Sequence, residues 1–358
     1  MPSIKSMVID LNLDQNHDMD FEFGPNGKDE LQKQLEKLTD AGKYGMQDVG
    51  KWLREHYVGK LLSPVWNTAS SEIVLRSTNY LRTVESLQYL LHGLYPKKDT
   101  IGNPKVLVKD TEHETMYPHD ACSSMVYDTK LLRDIFAKKH HQRLTSVLNP
   151  LSFWHTMHGK KSNENQVYRL YDVFSCMIGN GVQLPEGVTE DDHGKLEGLT
   201  IDLWARLYEK DDDFTKRAIG RFIPELFQPM QDMRNKVPNT PRMAIFSGHD
   251  STIIPLLISF RAFDGDYPYP GFGSSLSFEY FEEKMHYPTS KPKGYVQMKY
   301  NGEPVTIPAC KAPKDHYRND LSLCTFDAFM QQAKKMSLTE EQYQKMCHSN
   351  QKVVPDWD

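Results

Sequence analysis

Short apolar runs alternate along this chain with longer segments in which apolar residues recur every three or four positions. The short runs predict buried strands at 72–75, 105–109 and 243–246, and the longer segments predict helices. Gly93 and Pro96 end the helix after the first strand, as glycine and proline usually do. This order predicts an α/β fold, a three-layer core with a central sheet and helices on both faces.

The segment 111–240 breaks this pattern. It is rich in charged residues, histidine and tyrosine, and its periodicity predicts helices at 128–141 and 194–209. We therefore expect an α/β core formed by 1–110 and 241–358, with a mainly helical cap inserted at 111–240.

Apolar stretches near the two ends of the chain predict further elements. A short strand is expected at 7–13, and strands at 276–281 and 295–300 are expected to complete a sheet. Terminal helices are predicted at 325–335 and 339–347.

Polar residues follow the first buried strand in the order Arg76-Ser77-Thr78, with Arg82 four positions further on. An arginine at the carboxyl end of a strand, directly before a helix, lies where α/β proteins bind ligands. The helix N-terminus favours an anion, and a guanidinium grips two phosphate oxygens at once. Arg76 is therefore a candidate phosphate ligand. The alternative is that Arg76 pairs with a core carboxylate while Ser77 or Thr78 caps the helix.

A second strand, 243–246, is followed by Ser247-Gly248-His249-Asp250. At this position His249 can donate a hydrogen bond to a phosphate oxygen. Asp250 can supply the proton that a departing alkoxide needs, which is the task of a general acid. The alternative is an aspartate that caps the next helix beside a buried histidine.

These segments together resemble the histidine acid phosphatase family. The two motifs match Arg-Ser-Thr-x-x-x-Arg-Thr and Ser-Gly-His-Asp-x-Thr, and 38–45 is similar to the family's Leu-Thr-x-x-Gly segment. The tail is most similar to lysophosphatidic-acid phosphatases. The similar tail segments are 296–302, 323–329 and 338–343. The resemblance covers 38–110 and 241–347 well and the helical middle poorly.

The resemblance implies hydrolysis of phosphomonoesters at acidic pH, without a metal or another cofactor. The implied ligand is a small phosphomonoester, lysophosphatidic acid and other lysophospholipids included. By the same resemblance Arg76 and His249 bind the phosphate and Asp250 protonates the leaving group. Arg82 matches the second arginine of the first motif, and it either binds the phosphate or supports the loop.

The resemblance also implies a cysteine pairing. Cys310 is expected to pair with Cys324 and Cys122 with Cys347, which leaves Cys176 free. The alternative is five reduced thiols, as in a cytosolic protein.

One motif of the family is missing from the 358 residues. The family's nucleophile is the histidine of Arg-His-Gly-x-Arg-x-Pro, which becomes a phosphohistidine. The His-Gly pairs at 92–93, 158–159 and 193–194 lack a preceding arginine, and His17 precedes Asp18. The missing strand would be central in the sheet, so either the strand at 7–13 replaces it or the core is open.

Three interpretations of this gap remain. The chain is an incomplete form of an active phosphatase, a non-catalytic relative that binds phosphorylated ligands, or a pseudophosphatase that keeps the fold as a structural protein.

Composition narrows the class of protein further. A formal net charge of -5 and a pI of about 6.3 argue against a nucleic-acid binder. No apolar run approaches the ~18 residues of a transmembrane segment. The first twenty residues show no signal-peptide pattern. The protein is therefore expected to be cytoplasmic, or secretory, lysosomal or mitochondrial if its N-terminus is incomplete. The pattern does not indicate an oligomeric state.

Overall fold

A computed structural model describes residues 6–10, 37–67, 70–97, 100–151, 164–263, 268–283 and 292–348. In chain order its elements are β1 (Ser6–Asp10), α1 (Asp40–Tyr57), β2 (Ile73–Ser77), α2 (Leu81–Leu94), β3 (Lys105–Lys109), α3 (Ser123–Lys139), α4 (His141–Leu148), α5 (Glu164–Gly179), α6 (Glu190–Lys210), α7 (Asp212–Ile219), α8 (Phe222–Arg234), β4 (Met243–Ser247), α9 (Asp250–Ser259), β5 (Leu276–Glu282), β6 (Gly294–Tyr300), β7 (Glu303–Val305), β8 (His316–Tyr317), β9 (Asp320–Thr325), α10 (Phe326–Met336) and α11 (Glu340–Cys347). The expected α/β fold, with a sheet flanked by helices, is confirmed.

The chain forms two compact units. The first unit comprises Met1–Tyr117 and Glu225–Ser251, and the second comprises Pro118–Pro224 and Thr252–Asp358. These units group the residues after 251 with the helices of the chain's middle, whereas the sequence pattern groups them with the first 110 residues. The division into core and cap stays a prediction.

The first unit contains a four-stranded sheet in the order β1-β3-β2-β4. β2 pairs in parallel with both β3 and β4, so the carboxyl ends of these three strands share one edge of the sheet. β1 is antiparallel to β3, with Asp10 opposite Lys105. The strand expected at 7–13 is therefore an outer strand that runs the other way, and it does not take a central position. No strand in the described ranges pairs with the second edge of β4.

Helices α1 and α2 pack closely against each other in the first unit. Thr39 caps α1 by accepting a hydrogen bond from Gly42 N at 3.2 Å. A Cβ atom at Gly50 would lie 2.0 Å from the Leu90 carbonyl oxygen, and one at Gly93 would lie as close to the carbonyl oxygen of Gln47. Both glycines are required here, because any side chain would push the two backbones apart.

The second unit contains the helices α3 to α7 and a second sheet. Its strand order is β5-β6-β9-β8, with β7 paired to β6, and all its pairs are antiparallel. The strands expected at 276–281 and 295–300 are β5 and β6 of this second sheet, which is separate from the four-stranded sheet of the first unit. β5 and β6 pair with each other over seven residues.

Two disulfides in the second unit confirm the pairing implied by the resemblance. Cys122 and Cys347 have Cα atoms 4.6 Å apart, and Cys310 and Cys324 have Cα atoms 5.4 Å apart. Both separations lie within the ~7 Å limit for a bridge. Cys176 is free and exposed. Of the helices in the described ranges, none is long and apolar enough to cross a membrane.

Candidate functional site

The two polar motifs meet at the shared edge of β2 and β4. Because these strands are parallel and in register from Ile73 opposite Met243 to Ser77 opposite Ser247, their following residues emerge side by side. Thr78 N extends the ladder by donating to Ser247 O at 3.1 Å. This arrangement follows from the α/β pattern, in which polar residues after parallel strands collect at one edge.

Buried hydroxyl groups fix the start of α2 against this edge. Ser77 Oγ donates to Thr83 Oγ1 at 3.0 Å, and Ser247 Oγ donates to the Thr83 carbonyl at 2.7 Å. The Thr78 and Thr83 hydroxyls lie 2.8 Å apart. Ser77 and Thr78, the candidate helix caps, therefore hold the first turn of α2 through their contacts with the Thr83 hydroxyl.

His249 lies half-buried among these groups. Its Nε2 atom is 3.0 Å from Thr78 Oγ1, and its ring meets the rings of Tyr80 and Tyr117 edge-on at centroid distances of 5.0 and 5.5 Å. Loss of hydration, followed by the positive charge of Arg82, lowers the pKa of His249 from 6.5 to about 4. At pH values well above this pKa the imidazole is therefore neutral, with one ring nitrogen as donor and the other as acceptor.

Arg82 is the exposed cation of this edge. It lies in the first turn of α2, and its guanidinium carbon is 4.5 Å from the centroid of the Tyr80 ring. Among the described residues no carboxylate forms an ion pair with it. Stacking on the ring orients the guanidinium and leaves its N–H groups able to bind an anion, which the helix N-terminus also favours.

Arg76 lies inside the protein, with 1% of its surface exposed. Its Nη2 atom is 2.7 Å from Glu114 Oε1, and its Nε atom is 2.8 Å from Glu225 Oε1. Of the two interpretations of Arg76, these contacts correspond to the one in which it pairs with core carboxylates.

Asp250 is the first residue of α9, directly after His249. Its Oδ1 atom accepts a hydrogen bond from Ser251 N at 2.7 Å, and the residue is partly exposed. A carboxyl group in this position can reach a ligand at the strand edge and also stabilise the helix N-terminus. The contact is compatible with both interpretations of Asp250.

Three residues of this region were not expected from the sequence: Glu114, Tyr117 and Glu225. Glu225 comes shortly after the apolar residues Phe222 and Ile223 within α8, but nothing in this stretch identifies its partner Arg76. Glu114 and Tyr117 fall in a charged stretch without periodicity, so no local signal distinguishes them.

Comparison with known proteins gives consistent matches. A family model described as the histidine phosphatase superfamily (branch 2) matches residues 8–301. A probable acid phosphatase of Dictyostelium discoideum is 26% identical over 319 residues, which are 77% of this chain and 65% of that protein. The lysophosphatidic acid phosphatase type 6 of Homo sapiens is 23% identical over 335 residues, which are 88% of this chain and 70% of that protein. The chain thus spans just under two thirds of the Dictyostelium relative.

Two solved structures with similar folds are phytases. The phytase of Citrobacter braakii has a TM-score of 0.57 at 14% identity, and the match covers 93% of this chain and 92% of that one. The apo form of the Hafnia alvei phytase has a TM-score of 0.58 at 15% identity, covering 87% and 88%. At these identities the likeness concerns the fold alone.

Proposed function

Because the chain belongs to branch 2 of the histidine phosphatase superfamily, we propose that it binds phosphomonoesters at the edge formed by β2 and β4. One observation carries this proposal. An exposed arginine in the first turn of a helix, Arg82, lies beside a half-buried neutral histidine, His249, where two parallel strands end. A cation, a neutral hydrogen-bond donor and a helix N-terminus are together a suitable set for a phosphate anion.

Each residue has a distinct role in this proposal. Arg82 binds phosphate oxygens through its guanidinium, and His249 donates a ring N–H to a third oxygen. Asp250 protonates the alkoxide that leaves. Arg76, which the resemblance implies to be a phosphate ligand as well, is held in place at this edge by its ion pairs with Glu114 and Glu225.

The neutral state of His249 links binding to pH. A bound phosphate brings negative charge beside the ring and raises the pKa of His249 from its low value of about 4. Binding therefore takes up a proton, and the affinity for phosphate increases as the pH falls toward that value. Acidic conditions favour the complex, in keeping with the acid phosphatase relatives.

The phosphomonoester itself is a finer part of the proposal. The tail segments resemble lysophosphatidic-acid phosphatases, and proteins of that name from Homo sapiens and Mus musculus are among the relatives. We therefore take lysophosphatidic acid as the first ligand to test.

Hydrolysis needs a group that attacks phosphorus. In the family this group is the histidine of Arg-His-Gly-x-Arg-x-Pro, and the 358-residue sequence does not contain that motif. The site then has a phosphate cradle and a proton donor without the family's nucleophile. We propose as a second candidate function a non-catalytic protein that binds phosphorylated ligands.

Hydrolysis of an aryl phosphate near pH 5 separates the two candidates. The purified chain is compared with Asp250→Asn, and its unfolding temperature is measured with and without inorganic phosphate. Turnover that is lost in Asp250→Asn supports hydrolysis through another nucleophile. Stabilisation by phosphate without turnover supports the binding protein. If neither is observed, the proposed function is wrong and the chain keeps only the fold.

A further inference from the structure

Glu114 joins strand β2 to the segment 114–117. Its Oε1 atom accepts hydrogen bonds from Arg76 Nη2 at 2.7 Å, from Thr115 N at 2.7 Å and from Met116 N at 2.8 Å. The side chain is fully buried. The Glu114 carboxylate thus fixes Arg76 at the end of β2, and it also fixes the backbone of Thr115 and Met116.

Glu225, which is partly exposed, completes this group of charges. Its Oε2 atom is 2.7 Å from Lys109 Nζ and accepts a hydrogen bond from the Thr115 hydroxyl at 3.0 Å, while its Oε1 atom binds Arg76. Two carboxylates therefore balance two cations. The two buried members, Arg76 and Glu114, persist in a low-dielectric interior only when their geometry is good, because each buried charge loses its hydration.

Tyr117, at the end of the segment 114–117, reaches His249. Its ring packs edge-on against the imidazole and also against Tyr80, at a centroid distance of 5.7 Å. Its hydroxyl donates to Asn79 Oδ1 at 3.1 Å. The contacts therefore form a continuous path from Arg76 through Glu114 and Tyr117 to His249.

We propose that Glu114, anchored by Arg76, is a positioning residue that holds Tyr117 against His249 and thereby determines the affinity of the site for phosphate. This inference rests on the proposed phosphate-binding function. Arg76 contributes by orienting Glu114, to which its Nη2 atom donates a hydrogen bond. The Tyr117 ring excludes water from one side of the imidazole, and it limits the ring to the orientation set by Thr78.

A second buried ion pair provides a matched control. In the second unit, Arg217 Nη2 lies 2.7 Å from Asp128 Oδ2, and the two side chains are 3% and 1% exposed. Asp128→Asn and Glu114→Gln each remove one charge from a buried arginine–carboxylate pair. The general cost in stability is therefore expected to be similar, whereas only Glu114 is connected to His249.

The test measures two properties of His249 and its ligand. The affinity for inorganic phosphate is measured by calorimetry, and the titration of the His249 imidazole is followed by NMR. Among the described residues, Arg82 is the charged group that acts on this ring, Tyr80 and Tyr117 are the aromatic groups in contact with it, and Asp250 is its neighbour in the chain. In Glu114→Gln we expect phosphate affinity to fall about tenfold. The pKa of His249 should rise from about 4 toward 6.5, because water reaches the ring. Asp128→Asn should change the unfolding temperature, but it should leave the phosphate affinity and the pKa of His249 as they are.

Tyr117→Leu is a second variant that leaves no buried charge unpaired. It should reproduce both changes, whereas Tyr117→Phe, which keeps the ring, should change them little. In the double variant of Glu114→Gln and Tyr117→Leu the effects should not add, because the two residues act in series.

Two results would overturn the inference. One is an unchanged phosphate affinity and imidazole titration in folded Glu114→Gln or in Tyr117→Leu, and the other is full additivity in the double variant. If the unaltered chain binds no phosphate, the proposed function fails, while the imidazole titration still tests the position of Tyr117.

Discussion

Each of the two units contains a buried arginine paired with a carboxylate, but the surroundings of the two pairs differ. In the second unit, Arg217 also donates to Ser124 Oγ at 2.7 Å, and Ser124 in turn donates to the Met346 carbonyl at 3.0 Å. These contacts lie beside the Cys122–Cys347 bridge, which joins α3 to α11 covalently. In the first unit, the described residues contain no disulfide, and Arg76 lies in a network of charges and hydroxyls next to the candidate site.

This difference indicates how each unit responds to its environment. Disulfide bonds are broken by reductants, whereas ligands and moderate changes of pH affect them little. Ion pairs, hydroxyl networks and a buried histidine respond to protons and anions. We therefore expect redox conditions to act mainly on the second unit, and acid and phosphate to act mainly on the first.

The largest effect is expected for the Cys122–Cys347 bridge. The double variant Cys122→Ala/Cys347→Ala opens a loop of 225 residues. Loss of this constraint on the unfolded chain should cost about 4–5 kcal/mol of stability. Denaturant unfolding measures the change, and phosphate affinity of the folded double variant should stay within about twofold of the unaltered chain.

Cys176→Ala is the control for this experiment, because Cys176 forms no bridge. Its stability should be unchanged. If the double variant is as stable as the unaltered chain, the Cys122–Cys347 bridge does not stabilise the second unit as expected.

The next effect concerns the close contact of α1 and α2 in the first unit. Gly93→Ala places a Cβ atom 2.0 Å from the Gln47 carbonyl oxygen, so one of the two helices must move. Overpacking of this kind should destabilise the protein by about 3 kcal/mol. Gly45→Ala is the matched control, because Gly45 is an exposed residue of α1 with nothing within 4 Å of the added atom. It should stabilise the protein by about 0.5–1 kcal/mol, and equal effects of the two variants would argue against the contact.

Acid should weaken the first unit through His249. Its pKa is lowered from 6.5 to about 4 in the folded state, so the unfolded chain binds more protons between these values. Stability from this group is therefore complete above pH 6.5 and is lost as the pH falls toward 4. After allowance for partial exposure the loss is about 2 kcal/mol. Denaturant midpoints measured from pH 7 to pH 4 give this loss of stability. In His249→Gln the stability should depend less on pH in this range. An unchanged dependence on pH in this variant would contradict the prediction.

The smallest effect in free energy is expected at Arg82. Arg82→Gln removes an exposed cation, so stability should be almost unchanged while phosphate affinity falls about tenfold, or about 1.4 kcal/mol. Arg169→Gln changes an exposed arginine of the second unit and serves as the control. Equal phosphate affinity in both variants would exclude Arg82 as the ligand.

The sequence predicted the parts of the fold and of the site that depend on local pattern. β3 has the predicted bounds, and the two polar motifs indeed meet where β2 and β4 end. The pairing partners of Arg76 could not be predicted, because Glu114 and Glu225 are distant in the chain and buried carboxylates leave no periodic signal. The separation of β5 from the sheet of β2 and β4 could not be predicted either, since an apolar strand pattern does not specify which edge the strand pairs with.

The parallel pairing of β2 with β4 has a consequence for synthesis of the chain on the ribosome. Thr78 and His249 are separated by 171 positions, so the two halves of the candidate site leave the ribosome roughly 10 to 35 s apart. During that interval β2 cannot pair with β4. Its residues Ile73 and Leu75, which are buried in the folded protein, are then next to an unpaired strand edge. An apolar strand with an open edge is the kind of segment that chaperones bind and that aggregates form from. Nascent chains that end shortly before residue 243 should therefore be much more prone to aggregation than chains that extend a few residues beyond 251.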